Sequence, residues 1–181
     1  MLPVTITLIP ERWDEKLGEF IPPVTTILQL EHSLISLSKW ESTWCKPFFS
    51  KQEKTLEETL DYIKCMTLNK NIQPEIYTNL SPKNIDEINA YIEAPMTATW
   101  FPKDTSGKNN REQITNELIY YWMIKLNIPF ECQKWHINRL LTLIRVCNVK
   151  DQPPKKMSAR EIASRNKALN EQRKRQLNTR G

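Results

Sequence analysis

The hydrophobic pattern changes its period near residue 30, and this change constrains the fold most strongly. Residues 4–9, VTITLI, alternate apolar and polar side chains and are rich in β-branched residues, which is typical of a strand. Further along, apolar residues recur every three or four positions, as they do on one face of a helix; these are Leu30, Leu34, Leu37, Trp40 and Trp44. The sequence therefore predicts an N-terminal β segment followed by helices.

Prolines and capping patterns mark the ends of those helices. TLEE at residues 55–58 and SARE at residues 158–161 fit the capping box, in which a hydroxyl and a carboxylate satisfy free backbone N–H groups. Pro74 and Pro82 suit a first helical turn, where no N–H is needed. Pro47 predicts the end of the first helix.

Two strongly apolar stretches before the basic tail predict the helices at the centre of the bundle. Residues 114–128, ITNELIYYWMIKLNI, indicate a helix, and residues 130–148 indicate a second one directly after Pro129. So short a link favours an antiparallel helical hairpin. The predicted fold is mainly α (α+β): a helical bundle with a small N-terminal β-hairpin or arm and a basic C-terminal helix or tail.

The predicted organisation has three parts. Residues 1–30 form the hairpin or arm, with Gly18 in its turn. Residues 31–150 form the helical core domain. Residues 151–181 form a basic tail that is partly helical. Glycine occurs at only three positions, which disfavours glycine-rich phosphate loops.

Positive charge is concentrated in the last part of the chain. Residues 150–181 contain ten Lys/Arg and three Asp/Glu, whereas the rest contains sixteen and eighteen. The basic candidates for partner contact are Lys155, Lys156, Arg160, Arg165, Arg173, Lys174 and Arg175. Such a tail attracts nucleic acid, an acidic protein surface or anionic lipid, or simply keeps the protein solvated. It contains no aromatic side chain to stack on a base.

Cys132 and His136 are four residues apart on the second predicted helix, which raises the question of a metal or catalytic site. A structural zinc site needs four ligands, and the other candidates, Cys45, Cys65 and His32, fall on separate predicted elements. A cysteine nucleophile needs a base on a facing element, which two groups one turn apart do not provide. The pattern instead predicts packed side chains, with no catalytic residue, no metal and no cofactor.

The first residues and the four cysteines bear on the cellular compartment in which we expect the protein. MLPVTITLIPER lacks the basic start of a signal peptide, and no apolar run reaches the length of a membrane span. We expect free thiols in a reducing cytoplasm and no membrane association.

Several aromatic residues are candidates for partner contact. Residues 94–110 read as a loop, and they include Trp100 and Phe101 without helical spacing. The proposed contact residues are Trp40, Trp100, Phe101, Trp135 and Arg139, because tryptophan and arginine often dominate interfaces. The alternative for each aromatic residue is packing in the core.

Four stretches resemble a family of small proteins encoded in tailed-bacteriophage genomes, whose members are described as tail assembly chaperones. They are LEHSLISLSKWESTWCKPF at residues 30–48, MTATWF at residues 96–101, the run at residues 119–158 and the closing basic segment. The resemblance implies a non-enzymatic role in tail morphogenesis, in the host bacterial cytoplasm. The implied partners are the tape-measure protein or tail-tube subunits. Self-association, and nucleic acid bound through the tail, are further candidates.

The same resemblance leaves a second role open. A permanent virion structural protein, such as a head–tail connector or a tube-associated protein, would have the same fold and charge pattern. Its basic tail would contact neighbouring subunits or DNA, and the protein would be found in the virion.

Overall fold

A computed structural model describes residues 1–16, 18–101, 113–151 and 158–178 of the chain. The chain forms two compact units, residues 1–148 and residues 149–181. Residues 1–30, predicted to form the N-terminal hairpin or arm, lie within the first unit.

Four strands form the N-terminal hairpin. Strand β1 (Leu2–Ile9) pairs antiparallel with β4 (Val24–Leu30), and β2 (Arg12–Asp14) pairs with β3 (Glu19–Ile21) towards the tip. Gly18 has a φ of 65°, a conformation that glycine adopts without strain, and its N–H donates to the carbonyl of Asp14. The fold class predicted from the sequence, mainly α with an N-terminal hairpin, is confirmed.

The alternation of apolar and polar side chains along β1 and β4 explains why the hairpin packs on the core. One face of the β1–β4 ladder packs on the core, and four of its side chains are completely buried: Val4, Ile6, Leu28 and Leu30. The opposite face is largely exposed. Successive side chains of a strand point to opposite faces, so one ladder can close the helical core and still face solvent.

Helices make up most of the rest of the described chain. They are α1 (Leu34–Trp44), α2 (Leu56–Met66), α3 (Pro82–Glu93), α4 (Asn116–Lys125), α5 (Ile137–Asp151) and α6 (Ala159–Leu177), with 3-10 helices at Pro74–Asn79 and Phe130–Lys134. Both predicted capping boxes are formed, at Thr55 with Glu58 and at Ser158 with Glu161. Within the described residues, no helix is long and apolar enough to cross a membrane.

Helix α1 organises the core of the first unit. It contacts α2, α4 and the 3-10 helix Phe130–Lys134. Its buried Glu41 accepts hydrogen bonds from the backbone N–H groups of Phe48 and Asn116, each at 2.7 Å, and from the Asn116 side chain. One carboxylate therefore connects α1 to the start of α4 and to the chain after α1.

The single helix predicted across residues 130–148 is wrong. The chain forms the 3-10 helix, then becomes extended at Trp135 (φ −72°, ψ 159°), and α5 begins only at Ile137. A tertiary contact explains the break: the N–H of Ile137 donates to the carbonyl of His32 at 2.7 Å. An isolated antiparallel bridge joins the neighbouring residues Ser33 and His136. Helices α4 and α5 are thus separated by a bridging segment and do not follow one another directly.

Candidate partner-binding surface

The two histidines of the sequence pack together in the core. The ring centroids of His32 and His136 are 4.9 Å apart, in an edge-to-face arrangement. His32 Nδ1 is hydrogen-bonded to the Tyr62 hydroxyl. His136 Nε2 lies 2.9 Å from the carbonyl oxygen of Tyr91, and its Nδ1 accepts from the N–H of Asn138. Because a carbonyl only accepts, Nε2 carries the proton and His136 is neutral.

Burial determines the charge state of both rings. It lowers the pKa of His32 to about 3, and the nearby His136 adds to the effect. Burial also lowers the pKa of His136, opposed by its hydrogen bond to Tyr91. Removal from water disfavours the charged imidazolium, so both histidines are uncharged at neutral pH.

Cys132 is buried as well, on the 3-10 helix, while His136 lies beyond the extended residue that ends it. Across residues 1–16, 18–101, 113–151 and 158–178, no group of three or more His, Cys, Asp or Glu side chains could hold a metal ion. All four cysteines are free thiols, and Cys45 is the exposed one. Cys132 and His136 therefore serve as packed side chains of the core.

Trp40 does not belong to a contact surface. It is only 1% exposed, and its indole N–H donates to the carbonyl of Glu58 at 2.8 Å. Its ring packs edge to face against Phe48. The helical stripe that suggested Trp40 as an anchor also contains Leu34 and Leu37, which are fully buried. The prediction that Trp40 contacts a partner is thus corrected: it is a core residue.

Trp135 and Arg139 form a surface pair. The Arg139 guanidinium lies over the Trp135 ring, 4.0 Å from the ring centroid. Trp135 is half-buried and Arg139 is exposed. Stacking holds the arginine in place and leaves its outer N–H groups available for a carboxylate.

Trp100 and Phe101 have different environments although they are adjacent. Phe101 is half-buried beneath the Arg145 guanidinium, which lies 4.2 Å from its ring centroid. Trp100 is 80% exposed. The end of α3, from which this segment starts, is tied to α5, where the Asn138 side chain donates to the carbonyls of Ile92 and Ala94. Phe101 therefore fixes the segment, and Trp100 is presented to solvent.

A further aromatic pair lies at the hairpin tip and was not predicted. Trp13 and Phe20 are direct cross-strand partners on β2 and β3. Their ring centroids are 4.9 Å apart, edge to face, and the side chains are 52% and 63% exposed. The sequence could have predicted this pair, because Trp13 and Phe20 flank the Gly18 turn and a hairpin turn brings the residues on either side of it together as cross-strand neighbours.

The basic tail contains an exposed helix. Arg160, Arg165, Arg173, Lys174 and Arg175 all lie on α6, whose described residues are exposed throughout. Lys155 and Lys156 lie outside the described residues. Arg160, Lys167 and Lys174 recur every seven positions, so they share one face of the helix. Helix α6 therefore presents a row of positive charges about two turns apart.

Comparisons with family models, with curated proteins and with solved structures return no match for this chain.

Proposed function

We propose that this protein is a non-enzymatic bacteriophage tail morphogenesis protein, an assembly chaperone that holds the tape-measure protein or tail-tube subunits. The proposal combines the resemblance of the sequence to tail assembly chaperones with one structural observation. That observation is the exposure of aromatic side chains, foremost Trp100, which is 80% exposed.

Exposed aromatic groups suit a protein that binds other proteins. Trp100 is 80% exposed, and its neighbour Phe101 packs against Arg145 of α5, which keeps this part of the loop beside the helix. Trp13 and Phe20 offer a second apolar patch, on the paired strands at the hairpin tip. Aromatic residues are enriched in interfaces and often provide most of the binding energy.

The environment of the histidines supports a non-enzymatic role. Both rings are buried and neutral, and their hydrogen bonds go to other core groups. A general base must reach a substrate proton, directly or through one water. His32 and His136 are not placed to do so.

A permanent virion component is the second candidate, and α6 favours it. A cationic helix with no buried residue suits an arm that lies along a neighbouring subunit or along DNA. A chaperone leaves its client once the tail is built, whereas a virion protein stays. The two roles therefore differ in persistence.

Quantitative mass spectrometry of purified, DNA-filled virions and of infected-cell lysate tests the two roles. A chaperone is abundant in the lysate and missing from the virions. A fixed copy number per particle overturns the chaperone role and establishes a structural one. The tape-measure protein in the same samples provides the internal standard for a retained component.

A further inference from the structure

A half-open pocket lies between α2 and α3, apart from the surfaces described above. Its volume is about 200 Å³. Most of its wall is apolar and consists of Phe48, Tyr62, Ile63, Ile85, Ile88 and Ile92. Thr59 and Asn89 complete it on the two helices. None of the lining residues that the structure describes is acidic.

Among the described residues of this wall, the only charged side chain is Lys54, from the chain just before α2. Its ammonium donates to the carbonyl of Phe48 at 2.8 Å. It lies 4.1 Å from the Phe48 ring centroid and 5.6 Å from the Trp40 ring centroid. Aromatic faces attract a cation but supply no oxygen atom. Lys54 is therefore held against the pocket by contacts that leave N–H donors available.

Lys54 has no carboxylate within ion-pair distance among the described residues. Glu58 is close enough to act on it electrostatically, but the Glu58 carboxylate pairs with Lys46 at 2.6 Å. Partial burial lowers the pKa of Lys54, and Glu58 only opposes that effect. A half-buried ammonium of this kind gains from any anion that reaches it, because the anion restores interactions lost with water.

The size and lining of the pocket limit what fits. An apolar cavity of about 150 Å³ accommodates a benzene ring. A volume of about 200 Å³ therefore suits one ring, or a branched chain of similar size, with a short substituent. Four isoleucines and two aromatic rings favour an apolar body, and the single cation favours a negative substituent.

We propose that this pocket is a binding site for a small organic acid with a compact apolar body. The carboxylate accepts hydrogen bonds from Lys54 Nζ, and the apolar body lies among the isoleucines of α2 and α3. The site is independent of the tail-assembly role and of the surfaces assigned to it.

Phenylacetate and its neutral analogue phenylacetamide test the site, because they share a shape and differ in charge. Each is titrated into the full-length, isotope-labelled protein and followed by NMR. Phenylacetate binds about tenfold more tightly than the amide, as expected for a charge-assisted hydrogen bond. Chemical shifts change at residues of α2 and α3 around the pocket. Bound phenylacetate also raises the pKa of Lys54, which is read from its Cε resonance.

Matched variants separate the pocket from general charge. Lys54→Met removes the preference for the acid over the amide, whereas Lys64→Met, at an exposed lysine of α2, keeps it. Asn89→Trp, at an exposed position on the pocket wall, blocks both ligands and retains Lys54, so it tests the site even if Lys54→Met does not fold. Equal affinities for acid and amide, equal effects of the two lysine variants, or shifts confined to other parts of the protein would overturn the proposal.

Discussion

His32 and His136 contact each other edge to face in the core, although one follows the N-terminal hairpin and the other precedes α5. Around them the backbone of Ile137 donates to His32, and Ser33 and His136 form an isolated bridge. The pair therefore marks the point where the beginning of the first unit is joined to its last helix. Its protonation should affect the whole unit.

We expect the stability of the protein to fall as the pH drops below about 6.5, the ordinary pKa of histidine. Both folded-state pKa values lie below the ordinary value, that of His32 at about 3. Between the ordinary pKa of each histidine and its lowered pKa in the folded protein, the unfolded chain binds more protons than the folded protein does. Lowering the pH through this range therefore favours unfolding. Each histidine contributes a slope of up to about 1.4 kcal/mol per pH unit. Urea unfolding measured from pH 7.5 down to about 5 checks this.

This pH range separates the effect of histidine titration on stability from that of carboxylate titration. Glu58, Glu117 and Glu161 have lowered pKa values, so their contribution is lost only as the pH falls below their ordinary value of 4.5. His136→Gln should therefore flatten the slope just below pH 6.5, where the unfolded chain protonates that ring before the folded protein does, whatever its effect on absolute stability. An unchanged slope in this variant would mean that His136 titrates normally in the folded protein.

Glu41→Gln should destabilise the first unit by about 2 kcal/mol. The Glu41 carboxylate accepts three hydrogen bonds from Phe48 and Asn116, using both oxygens. Either orientation of a glutamine amide turns an NH₂ group towards a backbone N–H, so at least one buried donor loses its acceptor. Urea unfolding measures the change, and Glu57→Gln, on the exposed side of α2, is the matched control. Equal stability of the two variants would contradict the assigned role of Glu41.

Trp100→Ala should weaken partner binding about tenfold and leave stability within about 0.5 kcal/mol of the wild type. Phe101→Ala should instead lower stability, since Phe101 packs beneath Arg145. Binding to purified tape-measure fragments or tube subunits, measured by biolayer interferometry, gives the first quantity, and thermal unfolding gives the second. If Trp100→Ala binds as tightly as the wild type, Trp100 is not the contact.

Deleting residues 155–181 should leave a cooperative unfolding transition, because no described residue of α6 is buried. The same deletion should weaken partner binding and reduce its salt dependence, since it removes most of the basic tail. Replacing Arg160, Lys167 and Lys174 together by glutamine tests the charged face while the helix is kept. Loss of the melting transition on truncation would show that the tail is part of the core.

Cys132→Ser should cost about 1 to 2 kcal/mol of stability, because it places a hydroxyl in an apolar site. His136→Asn should also destabilise, through the lost bond to Tyr91. Neither change should release a metal. Elemental analysis of the purified wild-type protein provides the check, and one equivalent of zinc would contradict the assignment of these residues to core packing.

Local signals in the sequence predicted much of the fold. Thr55 with Glu58, and Ser158 with Glu161, start helices because a cap involves only residues three positions apart. The alternation in β1 and the stripe through Leu34 and Leu37 arise from the geometry of each element. Such interactions involve residues only a few positions apart, so they can be predicted from the sequence without knowledge of any tertiary contact.

The candidate surface was predictable only in part. Trp100, Trp135 and Arg139 are accessible to a partner, whereas Trp40 is buried although all were equally plausible from composition. Whether a tryptophan is an anchor or a core residue depends on what packs over it. For Trp40 the covering groups come from Phe48 and the carbonyl of Glu58, which lie on other segments.

The sequence by itself determined that an N-terminal β segment precedes helices, where the capping boxes at Thr55 and Ser158 start two of them, and the separation of a slightly acidic body from a basic tail. The tertiary structure decided where the helix predicted across residues 130–148 breaks, because the carbonyl of His32 takes the N–H of Ile137. It also decided that Lys54 faces an apolar pocket without an acidic partner among the described residues. Periodicity and capping are properties of neighbouring residues, whereas burial and pairing depend on segments that meet only when the chain folds.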